Sequence, residues 1–548
     1  MQNSDKKKDN QKLDTHYKVL AKNTFYSIFN RYGTYIFSLI TSFLLARMIS
    51  QELWGFLIIA TSIIGIFTLT ISFIPPGLLF SLQYYIPRYI AQNKMKIVKN
   101  FILKTFYMRL IVSMGAYFIA LFLVFFFNNI FAITLKNYIF LLYILSPIIF
   151  IESLNTFLIA VMYGFNLFKS VFILLLIRNF VSISLLLVYF ITIRTIDIEV
   201  VAFINLFSSL IPFLVSTFIV TLKIIKINIT PENGLRFKEV LDKIIKYGSA
   251  LSIQTIVSEM WTQSEIQIIG LFETPQWITG YNISNHYSSV NSLFLTALGY
   301  PLQYTFSSLD PKEDFSKIVK IYKVVFNFSL FFLTLITGVL FFFVDFFFFF
   351  FYGDSYLIYS TLAKLMVISP VFGVLYNLYF SFLRATNRVK LILLIFSITF
   401  SFSVSLFLIG LINFGLIGAV LGFLISKVFI QFILLFFNFK ITKLKFDYLK
   451  MIFNYSIFFL SLFASLFLGN ILFIDLNYQI LQSLNLLFFK DINFLQLASF
   501  LIIFFTLHII FRTISKNEFE YVELLFTKDK TTHKLISRFI RILSKFLR

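Results

Sequence analysis

Eight ionisable side chains fall inside long apolar stretches of this sequence: Arg31, Arg109, Glu152, Arg178, Glu259, Glu265, Lys364 and Lys427. A charge at the centre of a bilayer costs at least about 2.5–3.5 kcal/mol on insertion scales, so each must face a cavity or a partner. Arginine is the most informative type among them. Its planar fork donates two parallel hydrogen bonds and stays charged at any relevant pH, which is chemistry suited to a diphosphate. Arg31, Arg109 and Arg178 lie about 9–12 Å inside their apolar segments at 1.5 Å rise per residue. The bland alternative for each is a structural ion pair or a side chain that snorkels to the interface.

Glu152 and Arg178 flank a short turn near Phe165, each thirteen positions away from it. Two antiparallel helices joined there hold these residues at matching depth, which predicts an ion pair. Whether the pair is structural, binds substrate or couples an ion stays open, because breaking one partner of a buried pair also costs folding energy. Further along, Gln254, Ser258, Trp261 and Glu265 recur at spacings of four, three and four and share one helical face, with Glu259 and Gln263 on another. The next apolar segment carries Asn282, Asn285, His286, Ser289 and Ser292 and is unusually polar. These groups read either as the lining of a polar cavity or as hydrogen bonds between helices. Glu259 and Glu265, with Glu152, are the acids available to couple Na⁺ or a proton. No catalytic constellation appears. The chain has no Gly-x-x-x-x-Gly-Lys-Ser/Thr loop, and 4 His with no Cys leave a structural zinc site almost without ligands. No cofactor or metal is expected.

The elements that position these residues are membrane helices. With 59% hydrophobic and 13% charged residues, the chain is an all-α polytopic membrane protein and not a soluble domain. Hydropathy predicts about fourteen spans, near 25–46, 53–74, 105–127, 138–163, 171–193, 200–221, 248–271, 278–303, 325–343, 357–383, 391–412, 414–438, 451–474 and 493–511. The net charge of +22 is distributed for lipid and not for nucleic acid. With a cytoplasmic amino terminus, 38 of the 47 Lys and Arg fall on the inside, which places both termini in the cytoplasm. The polar, Lys-rich first residues leave no signal peptide.

The spans repeat at a spacing of about 220 residues. Leu82-Gln83-Tyr84 recurs as Leu302-Gln303-Tyr304, Lys96-Ile97-Val98-Lys99 as Lys317-Ile318-Val319-Lys320, Asn166 with Lys169 as Asn387 with Lys390, and Lys223-Ile224-Ile225-Lys226 as Lys440-Ile441-Thr442-Lys443. Two pseudo-symmetric six-helix lobes follow, the paired architecture of a transporter. The expected organisation is a cytoplasmic tail at 1–22, a first lobe at 23–221, a cytoplasmic connector at 222–247, a second lobe at 248–438, two extra spans within 439–511 and a basic tail at 512–548. Within that tail, Lys534, Arg538, Arg541, Lys545 and Arg548 line one face of an amphipathic helix suited to an anionic leaflet.

Several short motifs add a family resemblance. Ala46-Arg47-Met48-Ile49-Ser50-Gln51-Glu52-Leu53-Trp54-Gly55, Gly280-Tyr281, Tyr352-Gly353-Asp354-Ser355-Tyr356, Leu383-Arg384-Ala385-Thr386-Asn387-Arg388 and Gly415-Leu416-Ile417-Gly418-Ala419 stand in the order and spacing of the polysaccharide flippases. The chain thus resembles that branch of the multidrug/oligosaccharidyl-lipid/polysaccharide exporter superfamily over about residues 20–445. Glu265 stands where many relatives have Asp, and Pro301 sits earlier than the family's proline. The resemblance implies a flippase, not an enzyme, in the cell membrane, moving a polyisoprenyl-diphosphate-linked oligosaccharide to the outer leaflet. Glycosyltransferases or a polymerase of the same pathway are its implied partners beside membrane lipids. Arg31, Arg109 and Arg178 would take the diphosphate, Gln254, Trp261, Asn282 and Asn285 the sugars, and the extra spans would flank a groove for the lipid tail. A multidrug or organic-cation antiporter of the same superfamily is the first alternative. A polytopic glycosyltransferase or polymerase is the second, disfavoured by outer loops of no more than about 20 residues.

Overall fold

A computed structural model describes residues 33–126, 138–193, 196–226, 235–307, 315–386, 388–438, 448–469, 494–511 and 513. Arg31, the middle of the connector and the amphipathic tail lie outside the described residues. Among those described there is no strand, only an isolated bridge between Phe73 and Pro76. Among the described residues nine helices are long and apolar enough to cross a membrane, and Gly33–Met48 and Leu495–Ile510 are shorter apolar ones. The spans expected near 248–271 and 278–303 are also helical, inside Phe237–Phe272 and Pro275–Ser307. Both are more polar than the other spans. The protein is a multi-pass, all-α membrane protein.

The chain packs as two compact units, Met1–Thr279 and Gly280–Arg548. The first holds α1 (Gly33–Met48), α2 (Gln51–Thr70), α3 (Leu78–Ala91), α4 (Met95–Phe126), α5 (Phe140–Gly164), α6 (Phe168–Thr192), α7 (Ile198–Ile225) and α8 (Phe237–Phe272). Ser50 starts α2 by accepting a hydrogen bond from the Leu53 amide at 3.3 Å, with Glu52 in the favourable first turn. Pro75 and Pro76 cannot continue the helix, and Gly77, at φ 89°, turns the chain into α3. No element is expected from hydropathy at 78–91. The helix forms because Leu78, Leu82, Ile86 and Tyr89 fall on one stripe, buried against Phe101, Phe157, Val161, Val240 and Ile244.

Sequence symmetry assigns α8 to the second lobe, but by packing it belongs to the first unit. The Gln267 amide donates to the Ile59 carbonyl at 2.9 Å and also meets the Ser62 hydroxyl. Gly65 lets Gln263 press against α2, and Gly55 lets the Pro275 backbone do the same.

In the second unit, α9 (Pro275–Ser307) enters from the first and is followed by α10 (Phe315–Phe347). A π-turn at Phe348–Tyr352 and a 3-10 turn at Asp354–Tyr359 lead to α11 (Ser360–Ile368) and α12 (Val374–Ala385). Next, α13 (Val389–Phe437) is a helical hairpin, reversed at Gly415, where φ is 65° and ψ is −158°. Its two arms meet at backbone contact: a Cβ on Gly418 would lie 2.4 Å from the Gly410 carbonyl oxygen. Small residues thereby replace the missing hydrophobic drive between helices in lipid. The spans expected at 391–412 and 414–438 are these arms. The two extra helices, α14 (Tyr448–Leu468) and α15 (Phe494–Ile510), pack on α10 through Phe331, Phe342, Phe458, Phe500 and Phe504.

The repeat is visible in backbone hydrogen bonds. Phe165 N to Val161 O at 3.0 Å and Leu167 N to Met162 O at 2.9 Å close the turn after α5. Thr386 N to Phe382 O at 3.0 Å and Arg388 N to Leu383 O at 2.9 Å close the turn after α12 in the same pattern. Asn166 adopts the left-handed conformation, φ 63°, that such a helix ending requires.

Candidate functional site

The turn at Asn166 sets the register of α5 against α6, and that register brings Arg178 to Glu152. Arg178 Nη1 donates to Glu152 Oε1 at 2.8 Å. Val171, Leu174 and Leu186 are the buried residues of α6. Arg178 follows Val171 by seven positions and Leu174 by four, so it shares their inward stripe, while Ile173, Phe180 and Ile191 face away from the protein. Its partner helix is nearly all interior: Ser153, Leu154, Asn155, Phe157 and Leu158 are buried. Glu152, Thr156, Ile159 and Tyr163 form its half-buried stripe at spacings of four, three and four. The pair therefore stands at the edge of a polar strip and is not sealed, with 37% of the Arg178 side chain and 22% of the Glu152 side chain exposed. It is also one-sided. Glu152 Oε2 is buried without a hydrogen-bond partner among the described residues.

Arg109 has a different place from the one its sequence position implies. Read with Arg178 as a cavity arginine, it is instead 2% exposed. Its Nη1 donates to the Ile71 carbonyl at 3.1 Å and its Nε to the Ser153 carbonyl at 3.3 Å. The Ile71 carbonyl stands where α2 stops before Pro75 and accepts from the Ile74 amide at 3.1 Å, and Arg109 gives it a second donor from the protein. Arg109 is thus a helix-end cap joining α2, α4 and α5, rather than an arm held out to a ligand. The sequence hides this role, since the acceptors are backbone atoms 38 and 44 residues away.

The polar face chosen on α8 points away from α2. Gln263, Gln267 and Gly270 make the packed side of that helix. Gln254, Trp261 and Glu265 lie on its opposite side and are half-buried, and Ser258 on the same side is exposed. Glu259 is exposed, one turn before Gln263. On α9, Asn282 and His286 are half-buried and Asn285 is exposed, whereas Tyr281, Ser284, Tyr287 and Ser288 face the interior. Asn291 carries the most specific polar contact of this helix, donating to Thr337 Oγ1 at 2.9 Å and to the Val367 carbonyl at 3.1 Å. Asn291 extends the polar segment of Asn282, Asn285 and His286, but its type alone does not mark it apart from its neighbours.

Two other intramembrane cations are accounted for. Lys364 pairs with Asp345 Oδ2 at 2.5 Å, and the Lys427 ammonium lies 4.5 Å from the centre of the Phe423 ring. The described residues contain no group of three or more His, Asp or Glu arranged to hold a metal ion.

The first unit thus combines a broken helix with a partly exposed ion pair between two long apolar helices. Residues 20–303, just over half of the chain, match the family of polysaccharide biosynthesis proteins, and the chain belongs to that family. Among solved structures it is similar to the lipid II flippase MurJ in an inward closed conformation, with a TM-score of 0.63 and 16% identity, over 89% of this chain and 98% of that one. It is similar also to an inward-facing multidrug resistance transporter of the MATE family, in the MOP superfamily, with a TM-score of 0.59 and 14% identity over 75% and 95%. The MATE transporter VcmN of Vibrio cholerae in its bent form matches with a TM-score of 0.52 and 16% identity over 76% and 95%. The fold is shared with these proteins. No curated protein matches the chain in sequence.

Proposed function

We propose that this protein flips a polyisoprenyl-diphosphate-linked oligosaccharide from the cytoplasmic to the outer leaflet, for assembly of a surface polysaccharide. The observation that carries the reading is the half-open Arg178, held on the inward stripe of α6 by one hydrogen bond to Glu152. An arginine so placed presents its remaining donors to an anion without leaving its helix, and a diphosphate accepts them in parallel. Family membership supplies the polysaccharide side of the reading. The amides of Gln254, Asn282 and Asn285 and the Trp261 ring are the groups assigned to the sugars, Glu259 and Glu265 those assigned to a coupling Na⁺ or proton, and Arg31 a second diphosphate contact. Rocking of two lobes would alternate access, with the lipid tail left in the bilayer.

Translocation by reconstituted protein tests this. Arg178→Ala lowers the flipping rate of a lipid-linked glycan at least tenfold at equal folded protein, and Arg178→Lys restores it only in part, because lysine keeps the charge and loses the fork. Parental rates in both variants would remove the site. Orientation is tested separately in the Cys-free parent: a cysteine placed at Asp354 reacts with an impermeant thiol reagent from outside intact cells. Labelling there only after permeabilisation would invert the topology.

A further inference from the structure

We propose that Arg88 and Lys243 form a clamp for the phosphate of an anionic glycerophospholipid, at the end of the first unit where α3, α4 and α8 meet. Lys243 Nζ donates to the Tyr89 hydroxyl at 2.5 Å and lies 5.6 Å and 5.1 Å from the centres of the Tyr85 and Tyr89 rings. Arg88 Nη1 donates to the Tyr84 hydroxyl at 2.9 Å, and its guanidinium carbon lies 5.8 Å from the centre of that ring. Tyr84 with Arg88 and Tyr85 with Tyr89 are neighbouring rows of α3, joined by an edge contact between Tyr84 and Tyr85 at 5.0 Å. The two cations, one from α3 and one from α8, therefore sit on one aromatic platform. Phe101 of α4 backs Tyr85 and Tyr89 at 5.8 and 6.2 Å, and Lys104 of α4 donates to the Leu235 carbonyl just before α8, so the fold itself assembles the platform.

A tyrosine hydroxyl or ring holds a cation without supplying the negative charge of a carboxylate, so an anion is still called for. Both cations have further N–H donors to offer it. The same end of the unit carries Lys94, Lys96 and Lys99 around the start of α4 and Lys246 on α8. Its acids are Glu239, whose carboxylate accepts from the Arg236 amide at 3.2 Å, and Asp242, exposed beside Lys243, so cations are in excess. Tyrosines and cations together at the ends of membrane helices mark the headgroup level, and basic pockets between helices hold lipid phosphates there. A phosphodiester accepts from a guanidinium and an ammonium at once. Charge also selects the head. A choline or ethanolamine group would bring its own cation into this excess, and the rings that could receive it already carry Lys243 and Arg88. The clamp stands apart from Arg178, which lies in the middle of α6, so the failure of one reading leaves the other standing.

Native mass spectrometry of the purified full-length protein counts the lipids bound during titration with dioleoylphosphatidylglycerol or dioleoylphosphatidylcholine. The parent should bind its first phosphatidylglycerol roughly tenfold more tightly than its first phosphatidylcholine, as two cations near the surface suffice to give. Arg88→Gln and Lys243→Gln should each weaken the first phosphatidylglycerol about fivefold and leave phosphatidylcholine unchanged. Arg88→Lys and Lys243→Arg keep the charge and should retain most of the preference. Arg88 is exposed, so its variants decide the matter where Lys243→Gln does not accumulate. Equal affinity of the parent for the two lipids, or a preference unchanged in the glutamine variants, overturns the clamp. So does a preference that survives in those variants and is lost when Lys534→Gln, Arg538→Gln and Arg541→Gln are combined, which would place the lipid on the basic tail. Displacement of bound phosphatidylglycerol by farnesyl diphosphate, equally in the parent and in Arg178→Ala, would give the clamp to a substrate diphosphate and overturn the phospholipid.

Discussion

In the first unit the helix after the opening span breaks at 71–77 into α2 and α3, whereas its repeat partner in the second unit, α9, runs unbroken from Pro275 to Ser307. At the offset of Leu82 to Leu302, Ile71 corresponds to Asn291. Unit one opens the backbone at this position, and Arg109 from α4 joins the Ile74 amide on the Ile71 carbonyl. Unit two keeps the helix closed and lets the Asn291 side chain bond Thr337 and Val367. The same place in the repeat thus carries a polar group in both copies, by different means. The two copies are therefore structurally asymmetric here. Arg109 also holds the carbonyl of Ser153, the residue after Glu152, so the break in α2 and the open ion pair are mechanically joined. Among the described residues, the matching helix α9 has no such break.

The largest effect is expected at Arg109. Arg109→Ala removes two hydrogen bonds from a charged donor, at about 1.5–3 kcal/mol each, and leaves the Ile71 carbonyl with the Ile74 amide and the Ser153 carbonyl with the Thr156 hydroxyl. Melting of the detergent-solubilised protein should fall sharply, and a variant that melts with the parent would show that the break does not need its cap. Asn291→Ala, the matching change in unit two, should cost about 1–3 kcal/mol by the same readout. A loss larger than that of Arg109→Ala would reverse the proposed asymmetry. Gly77→Ala forces an L side chain into φ 89° and should cost about 1–2 kcal/mol. Smallest is the coupling of Glu152 and Arg178. Glu152→Gln and Arg178→Gln should each lower folded protein, and the double variant should recover about 1 kcal/mol of the summed loss, a modest figure because the pair is partly exposed. Strict additivity would deny the pair any energetic meaning.

Much of this asymmetry is absent from the sequence pattern. The spans and their order are legible because membrane helices need long apolar runs. The Glu152–Arg178 pair is legible for a related reason: equal distance from one turn fixes equal depth. The helix α3 is not, since Tyr84, Tyr85 and Arg88 interrupt its hydropathy, although its apolar residues at 78, 82, 86 and 89 follow a helical stripe. Arg109 misleads because side-chain type shows charge, while its function depends on carbonyls exposed by a distant proline break. For α8 the pattern finds two polar faces but cannot say which one packs. The structure gives Gln263 and Gln267 to α2 and leaves Gln254, Ser258, Trp261 and Glu265 on the other side.

The most direct test sets the two intramembrane ion pairs against each other. Among the described residues the first unit shows Glu152–Arg178 and the second Asp345–Lys364, both partly exposed. The flipping rate of a fluorescent lipid-linked glycan should be measured in proteoliposomes containing equal folded amounts of the parent, Arg178→Ala and Lys364→Ala. A loss of tenfold or more in Arg178→Ala with a rate near the parent's in Lys364→Ala is the predicted result, because only the first pair adjoins the capped break. Equal losses in the two variants, or a loss confined to Lys364→Ala, would contradict it.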